Sequence, residues 1–79
     1  MRHVPKLPGD LSGREVHTAL ERVGFVFRRQ RGSHMVLRRD QSYARVVIPD
    51  HRQLRSGTLR RMIADAGLTV EQLIELLRR

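Results

Sequence analysis

The spacing of apolar residues changes period twice along this 79-residue chain, and that change constrains the fold more than any single motif does. Val16, Ala19, Leu20 and Val23 fall at i, i+3, i+4 and i+7, the stripe of an amphipathic helix. Three runs rich in β-branched and aromatic residues follow: Phe25 to Gln30, Ser33 to Arg39 and Tyr43 to Ile48. The breaks between them, Arg31-Gly32 and Asp40-Gln41-Ser42, are short enough for hairpins, so the runs read as an antiparallel three-stranded meander. Helical spacing then returns in Leu59, Met62, Ile63 and Ala66, with Arg60, Arg61 and Asp65 outward, and again in Val70, Leu73, Ile74 and Leu77. The expected order is α-β-β-β-α-α, an α+β fold.

Local signals mark the ends of these elements. Ser12 with Glu15 and Thr69 with Gln72 have capping-box spacing, which opens the first and third helices, while Gly24 and Gly67 stand where the first and second should stop. Pro5, Pro8 and Gly9 make residues 1–11 an extended lead-in, and Pro49 closes the sheet. Strand alternation puts Phe25, Phe27, Met35, Leu37, Ala44, Val46 and Ile48 on the face that meets the helices. Arg28, His34, Arg38, Tyr43 and Arg45 then face the other way with Val26, Val36 and Val47, unless a β-bulge inverts part of the pattern.

A chain this short buries only about 60 to 65% of its unfolded surface, too little for two cores, so residues 1–79 are expected to form one domain. It has no cysteine, hence no disulfide framework or thiolate metal site. Neither a signal-peptide run nor a stretch of roughly 18 apolar residues occurs, and the expected location is the cytoplasm, with no membrane partner.

Charge is concentrated in the middle of the chain. Ten arginines but only Asp40 and Asp50 lie between Arg28 and Arg61, a net +8 that equals the formal charge of the whole sequence. Such a block attracts a polyanion by steering it and releasing its counterions, and the planar guanidinium suits phosphate oxygens. A purely solvated basic face has the same composition.

None of the four histidines, His3, His17, His34 and His51, forms a metal-binding pair such as HxxxH, and the carboxylates are scattered. No metal or cofactor is expected. There is no P-loop, dinucleotide fingerprint or GxSxG setting. His17, with Glu21 four residues on, reads as a surface pair. His34 differs because it opens a strand directly after Arg31-Gly32-Ser33, inside the basic block. Imidazole, with an ordinary pKa of about 6.5, can take a proton from a ribose 2′-hydroxyl or give one to a leaving 5′-oxygen. Gly32 would let phosphate approach the backbone, Ser33 would orient the imidazole or the phosphate, and nearby arginines would stabilise the charge that develops. On these grounds alone His34 is more often a structural or merely exposed residue beside a turn.

Several segments, taken in order, carry a family likeness: Gly24-Phe25, Arg29-Gln30-Arg31-Gly32-Ser33-His34, Val47-Ile48-Pro49 with His51 behind it, Gly57-Thr58-Leu59 and Ala66-Gly67-Leu68. This set closely resembles the HicA toxin family, over about Leu7 to Leu77. The resemblance implies a fold similar to double-stranded-RNA-binding domains, here with an extra C-terminal helix. It also implies a type II toxin that cleaves mRNA as an endoribonuclease, and a HicB-type antitoxin that covers its active site. The family's essential histidine, in the Gly-Ser-His motif, corresponds to His34. Arg28, Arg31, Gly32, Ser33, Arg38, Arg45, His51 and Arg52 are then the expected RNA contacts, His51 having no assigned catalytic role.

Three other readings remain. The same basic fold can hold RNA without cutting it. Leu59 to Leu77 has a glycine-containing turn like that of a DNA-reading helix-turn-helix, although Glu71 and Glu75 make its second helix acidic until Arg78. The arginines can also face an acidic protein, in addition to RNA or instead of it.

Overall fold

In a computed structural model, which describes residues 8–79, the elements follow the expected order. They are α1 (Gly13–Glu21), β1 (Val26–Arg31), β2 (His34–Arg39), β3 (Ala44–Pro49), α2 (Ser56–Asp65) and α3 (Val70–Leu77). Much of the lead-in expected over residues 1–11 falls outside the described residues. Its remainder turns at Gly9-Asp10 and buries Leu11, whose carbonyl accepts from the Leu54 amide at 2.8 Å. Among the described residues no helix is long and apolar enough to cross a membrane.

Both capping boxes form. The Ser12 hydroxyl accepts from the Glu15 amide at 3.1 Å while the Glu15 carboxylate accepts from the Ser12 amide at 3.0 Å, and Thr69 and Gln72 make the same exchange at 3.1 and 2.8 Å. Each box satisfies two of the amides that a helix start leaves without partners. α1 ends at Glu21, before Val23, and Gly24 follows in the turn that carries the chain to β1. In α3 the buried residues are Leu73 and Leu76, so Ile74, expected on the core stripe, is only half-buried.

The sheet has strand order β1-β2-β3, all antiparallel. α1 and α2 both rest against β3, and α3 packs on α1. One cluster joins Val16 and Leu20 of α1 to Met35 and Leu37 of β2, Val46 and Ile48 of β3, and Leu59 and Met62 of α2. A second, Ala19, Ile63, Leu73 and Leu76, lies among the helices. Most of β2 and β3 thus buries the alternation read from the sequence, since odd positions of β2 and even positions of β3 share the core face.

The first strand departs from that reading. Its register with β2 shifts between Phe27 and Arg29, so Arg28 is an extra residue in the strand. Arg29 therefore lies opposite Val36, on the face away from the helices, where unbroken alternation from Phe25 and Phe27 would have put it in the core. Phe27, expected in the core, is 41% exposed. It stands opposite fully buried Leu37, but on an edge strand beyond the reach of α2, and its ring stacks on His17 with centroids 5.6 Å apart. Val36, expected on the outer face, is buried there at the centre of the sheet between Arg29 and Val47.

Gly13 fixes how closely α1 meets the sheet. A Cβ on it would lie 2.0 Å from the Pro49 carbonyl oxygen, and its amide donates to the His51 carbonyl at 2.9 Å. Only a residue without a side chain lets the helix start sit against the end of β3.

Candidate nucleic-acid interface

His34 is the first residue of the central strand, paired with Arg31 on one side and Pro49 on the other. The two residues Gly32 and Ser33 close the hairpin that precedes it, and Gly32 adopts φ +58, a conformation that costs glycine nothing. The hairpin is tied down from several directions. Asp50 donates its amide to the Ser33 carbonyl at 2.6 Å, and its carboxylate accepts both Nε and Nη2 of Arg14 at 3.1 Å. Gln30 reaches the Gly32 carbonyl at 3.1 Å and the Asp50 carboxylate at 3.5 Å. A bidentate guanidinium–carboxylate pair holds direction as well as distance, so α1, the hairpin and the end of β3 form one support for His34.

The His34 side chain is exposed and lines a groove of about 280 Å³ with Arg45, Val47, Pro49, Thr58, Arg61, Met62 and Asp65. Thr58, Arg61 and Asp65 are spaced i, i+3 and i+7, so they form one polar stripe of α2 beside the apolar stripe that enters the core. Arg61 and Asp65 approach to 3.9 Å, a loose surface pair. An imidazole in such a groove, between arginines from a strand and a helix, can exchange a proton with a bound phosphodiester while the guanidinium groups hold its oxygens.

A second groove, of about 290 Å³, lies on the face of the sheet away from the helices and is lined by Arg28, Arg29, Val36, Arg38, Tyr43 and Arg45. Arg45 belongs to both. The structure thus brings Arg28, Arg38 and Arg45 together, with His34 reached through Arg45, while Arg31, Gly32 and Ser33 border His34 at the hairpin. His51 and Arg52 are exposed in the segment after β3 and line neither groove. Arg39 leaves the basic face altogether, because it points to the core side and lies over the Phe25 ring at 4.7 Å. Among the described residues no three of His, Asp and Glu gather where one metal ion could be held.

Arg29, Thr58, Arg61, Asp50 and Arg14 are parts of this site that the sequence pattern does not reveal. Arg29 joins it through the bulge, which is a property of strand pairing, and the others through the docking of α1 and α2 onto β3.

The family model described as the HicA toxin of bacterial toxin-antitoxin systems matches residues 13–68, more than half of the chain. The chain belongs to the HicA toxin family. It is therefore the toxin of a toxin–antitoxin pair, and an antitoxin is its partner. The matched HicA segment runs from the close-packed Gly13 through both grooves and the polar stripe of α2. No curated protein matches this chain.

Proposed function

We propose that this HicA toxin is a metal-independent endoribonuclease that cleaves mRNA, with His34 moving the proton and the arginines of the helix-free face holding the phosphates. The observation that carries the reading is the placement of an exposed histidine, on a hairpin fixed by Asp50 and Arg14, in a groove flanked by Arg45 and Arg61. Attack by the 2′-hydroxyl on the adjacent phosphorus expels the 5′-oxygen of the next nucleotide. One proton leaves the nucleophile and another reaches the leaving group, and imidazole serves either transfer near neutral pH.

The chemistry predicts the products. Purified protein incubated with RNA in the presence of chelator should yield fragments ending in a 2′,3′-cyclic phosphate. A substrate carrying a 2′-deoxynucleotide at the cut site should stay whole. Intact RNA after prolonged incubation would leave a binding module of the same fold as the better reading.

Binding should also depend steeply on salt. A strand whose phosphates meet about four to six of these arginines should show a slope of roughly −3 to −4 in log K against log salt. Replacing Arg28 and Arg45 together should flatten it, and a slope near zero would mean that the basic face serves an acidic protein alone. The antitoxin, of the HicB type, would inhibit by presenting acidic side chains to this face and covering His34, an arrangement that also speeds association.

A further inference from the structure

The second groove carries a feature that phosphate binding does not need. Tyr43 is 67% exposed at its rim, surrounded by Arg28, Arg29, Arg38 and Arg45, with buried Val36 as the floor. An aromatic ring left in water has no stabilising role in the core, and this one adjoins the most basic part of the face. Arg38 is partly neutralised by Asp40, at 2.7 Å, but among the described residues Arg28, Arg29 and Arg45 make no ion pair. The groove adjoins the one containing His34, because Arg45 lines both.

We propose that this groove is a nucleotide subsite in which a base of the RNA strand stacks on Tyr43 while its neighbouring phosphates sit among Arg28, Arg29 and Arg45. The proposal rests on the RNA-cleaving reading and adds how the strand is held. Tyr43 stands one residue beyond the Arg39↔Ala44 pair, six residue steps along the sheet from His34, or about 20 Å at ~3.3 Å per residue. The stacked base therefore belongs to a nucleotide near the cut rather than to the scissile one. Stacking requires an unpaired base, so the substrate class is single-stranded RNA, and duplex is disfavoured because its bases are already stacked on each other.

Tyr43 is the only tyrosine and the chain has no tryptophan, so its fluorescence reports this subsite alone. The probe is a short, mixed-sequence 2′-O-methyl oligonucleotide, which lacks the nucleophile and cannot be cut. It should quench Tyr43 saturably, whereas polyphosphate of equal charge should bind the arginines without that quenching. Tyr43→Ala should weaken oligonucleotide binding roughly 5- to 150-fold, the scale of one base–aromatic stack, and leave polyphosphate binding unchanged. Tyr43→Phe, which keeps the ring, should bind like the wild type. Folding is not at stake at so exposed a position. Absent quenching, or equal oligonucleotide affinity in Tyr43→Ala, overturns the subsite. So does a Tyr43→Ala protein that binds oligonucleotide normally but holds an acidic antitoxin less well, since the groove then belongs to the protein partner. Binding of the probe without cleavage of ordinary RNA would instead remove the ribonuclease reading and leave the subsite standing.

Discussion

His34→Ala should cut RNA at least about 100-fold more slowly than the wild type, the scale of a lost general acid or base. The variant should nevertheless fold. His34 is exposed at a strand end and the core is built from other residues, among them Leu20, Leu37, Ile48 and Leu59, so the change should cost within about 0.5 kcal/mol. Backbone pairing with Arg31 and Pro49 does not use the imidazole. RNA binding should persist as well, because the proposed phosphate contacts are Arg28, Arg29, Arg45 and Arg61 rather than His34. Single-turnover cleavage, circular dichroism and RNA affinity measured on one preparation separate these three properties. A folded His34→Ala protein that cuts at the wild-type rate would end the assignment. Asp65 would then be the next group to test, as the carboxylate in the same groove.

What the sequence reveals about this molecule is what depends on near neighbours in the chain. The two capping boxes involve residues three apart, and the hairpin at Gly32-Ser33 needs only its own turn and flanking strands, so both are legible in the sequence alone. The faces of β2 and β3 follow from alternation because these strands pair without interruption from Arg39↔Ala44 to His34↔Pro49. β1 escapes the same logic because its bulge is a relation between two strands, and one inserted residue inverts every face beyond it. Phe27 departs for a related reason, as burial depends on how far the helices extend over the sheet.

The candidate site divides the same way. His34 is legible from its motif, but the partners that make a groove of it are not. Arg61 and Asp65 face outward from α2, as their spacing indicates, yet outward there means toward His34 because α2 rests on β3. Conversely, Arg39 counts toward the basic block but serves the interior, donating to the carbonyls of Val23 and Ser42 and covering Phe25. Net charge locates the candidate functional region without saying which guanidinium groups share a face.

The largest effect on stability should come from a residue that carries no side chain. In Gly13→Ala the new methyl carbon would begin 2.0 Å from the Pro49 carbonyl oxygen and 3.3 Å from Cγ2 of Ile48, and neither the backbone of a paired strand nor a fully buried side chain can yield easily. Relief requires the start of α1 to lift away from β3, which stretches the Gly13–His51 hydrogen bond and the Arg14–Asp50 fork and loosens Val16 and Leu20 in the core. Overpacking of this kind together with a lost hydrogen bond should cost about 3 kcal/mol. In a domain this small that lowers Tm by roughly 12 to 24 °C. Gly57→Ala is the control: nothing lies within 4 Å of a Cβ there, and alanine in place of glycine inside α2 should be neutral or stabilising by up to about 1 kcal/mol. Because Pro49 pairs with His34, the folded fraction of Gly13→Ala should also cleave RNA more slowly, whereas Gly57→Ala should not. Thermal melts of the two variants beside the wild type decide the point. If Gly13→Ala melted within a few degrees of Gly57→Ala, the close approach of α1 to the end of β3 would be wrong, and with it the support proposed for His34.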